Sequence, residues 1–305
     1  MSTVAAGKTG AGAPPSAQPR SSGRQGPRRR RTGTPAAVVR WLLLALVLAW
    51  TLVPIVWMVL SSLKSTKEIG ARTPKVLFTP TLSHYTGLFT GANDITGYLW
   101  HSVFAALVST VIAVSLGATA GYGLARSQMR GKKHLAFWII STRMAPIAAV
   151  ILPLFLVFRG LHLLDSLWGL VLAYLSFNLP FAIWIMNAFF ADLPPSLEEA
   201  AAVEGASRWQ TFYKVVLPLT KPGLVTTGVL CLVFSWNDYA FAQTFSGPHS
   251  QTIPIAASQL VTQTGIDWGQ LTAIGTIVVA PMMLAGLAVR RWLVSGLTLG
   301  AVSAE

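Results

Sequence analysis

The stretch WLLLALVLAWTLVPIVWMVL, residues 41–60, has no charged side chain. A bilayer core about 30 Å thick requires about 20 apolar residues in a helix, so this stretch is long enough to cross a membrane. In the whole chain 53% of the residues are hydrophobic and 11% are charged, whereas soluble domains contain about 25% charged residues. The composition therefore predicts an integral membrane protein.

Five further apolar runs predict five more spanning helices. They lie near residues 97–125, 134–158, 166–191, 222–245 and 268–289. Two runs contain one charge each, Arg143 and Asp238. The predicted fold is an all-α integral membrane protein with six transmembrane helices.

Two sequence features predict how these helices pack and bend. The stretch GATAG, residues 117–121, has the small-xxx-small spacing that allows helix backbones to approach closely. Proline, which removes a backbone donor and bends a helix, occurs inside the runs at Pro54, Pro146, Pro153, Pro180 and Pro281. We interpret most of these prolines as structural, because neighbouring helices can satisfy the freed carbonyls.

The orientation follows from the distribution of Lys and Arg, which collect on the cytoplasmic side. If the N-terminus is cytoplasmic, seventeen basic residues lie inside and five outside. Both termini are therefore expected in the cytoplasm, together with the loop at residues 194–221. The chain is therefore expected to cross a cell membrane several times, with both termini on its cytoplasmic side.

The ends of the chain are predicted to lie outside the transmembrane domain, which we place at residues 37–300. Residues 1–36 are basic, rich in Gly, Pro and Ser, and without apolar periodicity, so we expect a disordered cytoplasmic tail that touches anionic lipid. Residues 301–305 form a short cytoplasmic tail. The single cysteine, Cys231, cannot form an intrachain disulfide.

The cytoplasmic loop PPSLEEAAAVEGASRWQTFYKVVLPLTKPG, residues 194–223, contains three of the ten acidic residues of the chain. Ser196 and Glu199 have the spacing of a capping box and predict a helix at residues 197–204. Its alanines, the best helix formers, leave a face with little bulk against which another surface can lie. Gly205 suits a left-handed C-terminal cap.

The same kinds of capping and stop signal predict a second helix in this loop. Ser207 and Gln210 repeat the capping-box spacing, and the helix is expected to stop at Leu217-Pro218. An apolar face at helical spacing is expected at the membrane surface and contains Trp209, Phe212, Tyr213 and Val216.

Two other interpretations of the loop were weighed. Two short helices around a glycine are also typical of a DNA-binding helix-turn-helix, but both ends join membrane helices and the loop has no basic recognition face. We therefore expect no nucleic-acid partner. A loop that serves structure alone remains open from the residues themselves, since Glu199 can simply cap its own helix.

The loop resembles the EAA loop of ATP-binding-cassette (ABC) importer permeases. That pattern is Glu-Ala-Ala, three residues, Gly, nine residues, a branched apolar residue, one residue and Leu-Pro. It is matched here by Glu199, Ala200, Ala201, Gly205, Val215, Leu217 and Pro218. The similarity extends over about residues 38–303 and is greatest to the maltose-type sugar permeases, with looser matches at FSWNDYAFAQTF and VSGLTLGAV.

The resemblance implies a type I importer transmembrane domain and a set of partners. The first loop helix would be a coupling helix seated in a cleft of a cytoplasmic ATPase, with Glu199 in polar contact and Gly205 permitting the turn. The implied partners are a second permease subunit, two cytoplasmic ABC ATPase subunits and an extracytoplasmic sugar-binding protein. The implied function is ATP-driven import of a di- or oligosaccharide or a polyol by alternating access.

The sequence indicates no chemistry of its own. It has no phosphate loop of the form GxxxxGK[ST], so ATP and magnesium are expected in the partner ATPase and no cofactor in this chain. The five histidines are scattered without metal-ligand spacing. We interpret the chain as non-catalytic.

Polar residues within the spans are candidates for the substrate path, because intramembrane charges mark functional sites. The candidates are Arg143, Asn178, Asn187, Trp236, Asn237 and Asp238. Each has a structural alternative: Arg143 can bind carbonyls freed by Pro146 or pair with an acid, and Asp238 can anchor or pack a helix.

Two further function classes were considered. An ion-coupled secondary transporter would work without an ATPase, but Asp238 is the only acidic residue in the predicted spans, which argues against a proton relay. A membrane scaffold would use the alanine helix to recruit a regulatory protein and would form no pathway.

Overall fold

The structure is a computed structural model that describes residues 34–73, 75–90, 94–263 and 265–302. Positions 1–33 of the predicted tail at residues 1–36 lie outside the described residues, as do positions 303–305 of the predicted tail at residues 301–305. The first described helix begins at Thr34 and the last one ends at Val302. The chain divides into two units between Leu52 and Val53, and every contact described below lies within the second unit.

The described part of the chain is almost entirely helical. In chain order the elements are α1 (Thr34–Ser62), α2 (Thr66–Ile69), α3 (Ser83–Thr90), α4 (Thr96–Arg126), α5 (Lys132–Ser141), a 3-10 turn (Thr142–Met144), α6 (Ile147–Gly160), α7 (Leu167–Ala191), α8 (Ser196–Val203), α9 (Arg208–Thr211), a π-helical turn (Phe212–Val216), α10 (Leu217–Leu219), α11 (Lys221–Trp236), α12 (Ala240–Phe245), α13 (Ile253–Gln259), β1 (Val261–Thr262), β2 (Gly265–Ile266) and α14 (Trp268–Val302). The two short strands pair antiparallel.

Four continuous helices are long and apolar enough to cross a membrane. They are Ala37–Ser62, Thr96–Arg126, Leu167–Ala191 and Trp268–Leu287. These helices confirm the first, second, fourth and sixth predicted spans. Two bent helix pairs bring the number to six if each pair counts as one span. They are Lys132–Met144 with Ile147–Gly160 and Arg208–Leu219 with Lys221–Trp236.

The third predicted span is not one helix. Helix α5 and its 3-10 turn end at Met144, and α6 starts at Ile147 after a bend of 90°. Ala145 is extended, with ψ 135°, because the ring of Pro146 disfavours helical geometry in the residue before it. The third predicted span, residues 134–158, is therefore a bent pair of helices, with the bend at Pro146.

The fifth predicted span is also interrupted. Helix α11 ends at Trp236 and α12 begins at Ala240. Between them, a carboxylate oxygen of Asp238 accepts the backbone N–H of Ala242 at 3.0 Å, and such a local bond competes with helix continuation. The fifth predicted span, residues 222–245, is therefore two helices, and Asn237 and Asp238 lie in the short break between them.

Helices α4 and α7 pack closely along the stretch GATAG. A Cβ added to Gly117 would lie 2.5 Å from the Cβ of Ala182, and one added to Gly121 would lie 2.9 Å from the backbone N of Asn187. No side chain fits between the two backbones here. The predicted close packing is confirmed.

At the opposite end of α7 from α8, Asp165 ties two loops together. One of its carboxylate oxygens, Oδ1, accepts hydrogen bonds from the backbone N–H groups of Gly247 and His249 and from the hydroxyl of Ser250, at 2.9 to 3.0 Å. The His249 Nδ1 lies 2.8 Å from the other carboxylate oxygen. Burial raises the pKa of Asp165, but these hydrogen bonds outweigh it and hold the pKa below its ordinary value.

We expect Gly121→Ala to lower the stability of the fold and Gly123→Ala to raise it. Both substitutions gain about 1 kcal/mol of helix propensity. The added methyl group meets the α7 backbone only at Gly121, since nothing lies within 4 Å of a Cβ at Gly123, and such overpacking costs about 1–3 kcal/mol. Thermal unfolding of the two purified variants in one detergent measures the difference. Equal melting temperatures would contradict the close contact.

Candidate functional site

Helix α8 is the first helix of the loop at residues 194–223, and it follows two prolines. Backbone N–H groups of Glu198 and Glu199 donate to the carbonyl of Pro195 at 2.9 and 3.1 Å. Pro195 is the N-cap and no side chain caps this end. The predicted capping box at Ser196 is wrong, because Pro195 already has helical angles and Ser196 therefore lies inside the helix.

The turn after α8 has the geometry predicted for Gly205. Its φ of +84° lies in the left-handed region, which glycine enters without a Cβ penalty. The Gly205 N–H donates to Ala202 at 3.0 Å and the Ala206 N–H donates to Ala201 at 3.0 Å, the two bonds of a Schellman motif. The predicted C-terminal cap is confirmed.

The second loop helix begins as predicted and ends later. Ser207 accepts the N–H of Gln210 at 3.3 Å, and the Gln210 side chain accepts the N–H of Ser207 at 2.8 Å, which confirms the capping box. The helix then widens into the π-helical turn and continues through Pro218 to Leu219. The predicted stop at Leu217-Pro218 is wrong, because the wider turn accommodates a residue that has no N–H to donate.

The predicted apolar face of this second helix is divided between two environments. Phe212 and Val216 are buried against Ala118 of α4 and Met186 and Phe190 of α7. Trp209 and Tyr213 stack on each other and are exposed. The loop is thus seated on the ends of α4 and α7 by its buried half.

The described residues also contain an ion pair that sequence reasoning missed. Arg126 Nε donates to Glu198 Oε1 at 2.6 Å, and the Tyr122 hydroxyl donates to Glu198 Oε2 at 2.7 Å. Arg126 donates a second bond to the carbonyl of Leu193 at 3.0 Å. Only the helical phase of α8, which places Glu198 toward α4, could have indicated these contacts.

The outer face of α8 carries Glu199 and Ala200, the first two residues of the EAA pattern. Glu199, Ala200 and Ala202 are exposed, and Val203 is 89% exposed. Among the described residues, the Glu199 carboxylate has no hydrogen-bond or ionic partner. Ala201 faces inward. This face combines small side chains, one exposed apolar group and one free carboxylate.

A second site is a cavity of about 270 Å³ between the broken span and its neighbours. Its lining includes Arg143, Ser176, Phe177, Phe234 and Asp238. The structure therefore brings together the two charged candidates of the substrate path. Both charges lie at helix breaks, where the chain leaves the regular helical hydrogen-bond pattern.

The guanidinium of Arg143 lies between two aromatic rings. Its Cζ is 4.4 Å from the centre of the Phe181 ring and 4.2 Å from the centre of the Phe234 ring. An Arg cation over an aromatic face is attracted by the ring quadrupole, and it retains donors in its plane for another ligand. The stacking holds a planar donor group at the edge of the cavity.

The other candidates of the substrate path lie outside this cavity. Asn178 is fully buried and donates to the Ser235 hydroxyl at 2.7 Å. Trp236 donates from its indole N–H to the carbonyl of Val278 at 3.1 Å. The exposed Asn237 bonds the carbonyl of Val233 in its own helix at 2.8 Å, and Asn187 is half-buried beside α4.

Residues 113–299 match the family described as "Binding-protein-dependent transport system inner membrane component". The chain belongs to this family. It is thus an ABC transporter permease component, and the first short loop helix, α8, lies within the matched region.

Relatives and one solved structure agree with this membership. The chain is 35% identical to the probable ABC transporter permease protein y4oR of Sinorhizobium fredii, over 86% of this chain and 94% of that protein. It is 36% identical to the trehalose transport system permease protein SugB of Mycobacterium tuberculosis, over 86% of this chain and 96% of that protein. In fold it matches a chain of a bacterial ABC transporter that imports the acidic polysaccharide alginate, with a TM-score of 0.70, 24% identity, and coverage of 87% of this chain and 99% of the other.

We expect Gly205→Val to loosen the permease loop and Gly205→Asn to leave it nearly unchanged. A Cβ at Gly205 meets nothing within 4 Å, so the cost comes from the left-handed conformation, about 1–2 kcal/mol for most residues and less for Asn. Amide hydrogen exchange of residues 196–211 measures the loosening. Equal exchange in the two variants would contradict the conformational origin of the effect.

Proposed function

We propose that this chain is one of two membrane subunits of an ATP-driven carbohydrate importer and forms half of the translocation pathway. The observation that carries the proposal is the outer face of α8, where Glu199 is unpaired within the described residues and is flanked by small side chains. An unpaired carboxylate on a smooth helix face fits a cleft in another protein that offers a donor. Glu199 and Ala200 on this face belong to the EAA pattern.

The partner at this face is proposed to be a cytoplasmic ATPase, present in two copies in the complete transporter. This chain has no phosphate loop, so ATP and magnesium would bind the ATPase subunits, and the chain itself would carry out no chemical step. A second permease subunit would complete the pathway. An extracytoplasmic binding protein would deliver the sugar, which agrees with the family description.

The proposed orientation places both termini and α8 in the cytoplasm. Basic residues collect at the end of the helices that holds α8, where Arg126, Arg130 and Lys132 follow one another closely. Such residues are enriched on the cytoplasmic side of a membrane. The proposed location is the inner membrane of a bacterial cell.

The proposed substrate is a carbohydrate or a polyol. The cavity beside Arg143 and Asp238 offers a donor group, a carboxylate and phenylalanine rings, and these groups suit the hydroxyl groups and the apolar ring faces of a sugar. The relative SugB is named for trehalose transport, and the similar solved structure is named for alginate import.

In the proposed mechanism, closure of the ATPase subunits pulls on α8. The pull moves the ends of the spans and opens the pathway to alternate sides of the membrane. An ion-coupled transporter or a scaffold without a pathway would need no such partner, and no observation on the described residues favours either.

We expect Glu199→Gln and Val203→Asp to lower sugar-stimulated ATP hydrolysis and sugar uptake together, by about tenfold, because both alter the face that meets the ATPase. Glu204→Gln is the matched control, since Glu204 is an exposed acid of the same loop beyond α8. The measurement uses the complete transporter with its binding protein in proteoliposomes. Full activity of the Glu199→Gln, Val203→Asp double variant would refute the proposal, as would uptake without an ATPase.

We expect Asp238→Asn to raise the sugar concentration for half-maximal uptake by about tenfold and to leave ATPase binding unchanged. Asn retains the capping bond to α12 but removes the charge from the cavity. Asp267→Asn is the matched control, because Asp267 also caps a helix, through the N–H of Gln270 at 3.0 Å. An unchanged half-saturation would exclude this cavity from the substrate path.

A further inference from the structure

Two neighbouring acids of α8 point in different directions. Consecutive residues of a helix lie about 100° apart around its axis. Glu199 therefore faces outward and is exposed, whereas Glu198 faces α4 and is half-buried. One helix turn thus places one carboxylate on the exposed surface of the loop and another against the transmembrane helices.

The inward carboxylate has both of its oxygen atoms bonded to α4. Arg126 Nε is 2.6 Å from Oε1, and the Tyr122 hydroxyl is 2.7 Å from Oε2. The two donors are four residues apart, so they lie on the same face of α4. Hydrogen bonds between ionised groups are short and strong, and the side chains of Arg126 and Glu198 are only 21% and 19% exposed, which limits screening by solvent.

Arg126 also holds the chain just before α8. Its guanidinium donates to the carbonyl of Leu193 at 3.0 Å, two residues before Pro195. A single side chain of α4 therefore fixes both the approach to α8 and its first turn.

Tyr122 is fixed in turn by the aromatic residues beneath the loop. Its ring centre lies 4.8 Å from that of Phe212 and 5.5 Å from that of Phe190. It directly follows Gly121, where the α4 and α7 backbones meet. The bonded carboxylate is therefore attached to the closely packed pair of helices α4 and α7.

We propose that Tyr122, Arg126 and Glu198 form a clamp that transmits the movement of α8 to α4 and α7. The proposal rests on the function proposed above and deepens it, because it names the residues through which the docked helix acts on the pathway. Glu199 faces the ATPase and Glu198 faces the spans. These three are positioning residues, since none of them lines the cavity beside Arg143 and Asp238.

A clamp that only holds the loop in shape makes a different prediction from one that transmits movement. A purely structural role would lower uptake and ATP hydrolysis in parallel, in proportion to the amount of folded complex. If the clamp transmits movement, variants that lack it should continue to hydrolyse ATP while their sugar uptake falls. The number of sugar molecules transported per ATP hydrolysed separates the two roles.

The experiment compares Glu198→Gln, Arg126→Gln, the double variant and Tyr122→Phe in the complete transporter in proteoliposomes, with Glu204→Gln as control. For Glu198→Gln we expect sugar transported per ATP to fall about tenfold, with the ATPase subunits still bound. The double variant should lose less than the product of the two single losses, because both single variants remove the same Arg126–Glu198 pair. Tyr122→Phe retains the ring packing and should lose about threefold, which keeps the test decisive if the charged variants do not assemble.

The outcomes separate this proposal from the proposed function. An unchanged ratio of sugar to ATP in Glu198→Gln or, failing its assembly, in Tyr122→Phe overturns the clamp. Independent, additive losses in the double variant overturn it as well. If the proposed function itself is wrong, the unaltered transporter would not hydrolyse ATP in response to sugar, which is a different result from a changed ratio in the variants.

Discussion

At Gly117 and Gly121 the backbones of α4 and α7 approach so closely that even a methyl group does not fit between them. In a bilayer, helices gain no hydrophobic free energy from leaving lipid for one another, and association depends on close packing and interhelical hydrogen bonds. The buried amide of Asn178, bonded to Ser235 of α11, adds such a bond beside this contact. The clamp and the buried half of the second loop helix both contact the ends of these two helices.

The sequence predicted the number and position of the spans because hydropathy depends on composition over about 20 residues. It named Pro146 as one of five prolines that can bend a helix, but it did not predict that a helix ends there or that another ends at Trp236. Pro153 and Pro180 continue their helices, whereas Pro146 separates two helices. Each proline places the same restriction on the residue before it, so the residue type alone does not tell which helix is interrupted.

The loop shows the same division between local and tertiary information. Gly205 and the Ser207 capping box were predictable because their causes lie within a few residues. Ser196 had equally good local spacing, but Pro195 had already started the helix. Glu198 and Glu199 are chemically identical in the sequence, and only the position of α4 decides which of them is bonded. Among the substrate-path candidates, Arg143 and Asp238 meet because the helix breaks bring them to one cavity, which periodicity alone does not reveal.

The bonds of Asp165 join two parts of the chain that are far apart in sequence. They tie the corner between α6 and α7 to the segment after α12, and the Asp165 N–H adds a bond to the carbonyl of Phe245 at 2.9 Å. A movement of one of these segments would therefore carry the other with it. The nearby breaks at Pro146 and between Trp236 and Ala240 interrupt the regular helices. Because Arg143 and Asp238 line the cavity from these two breaks, a bend at either break would change the shape of the cavity.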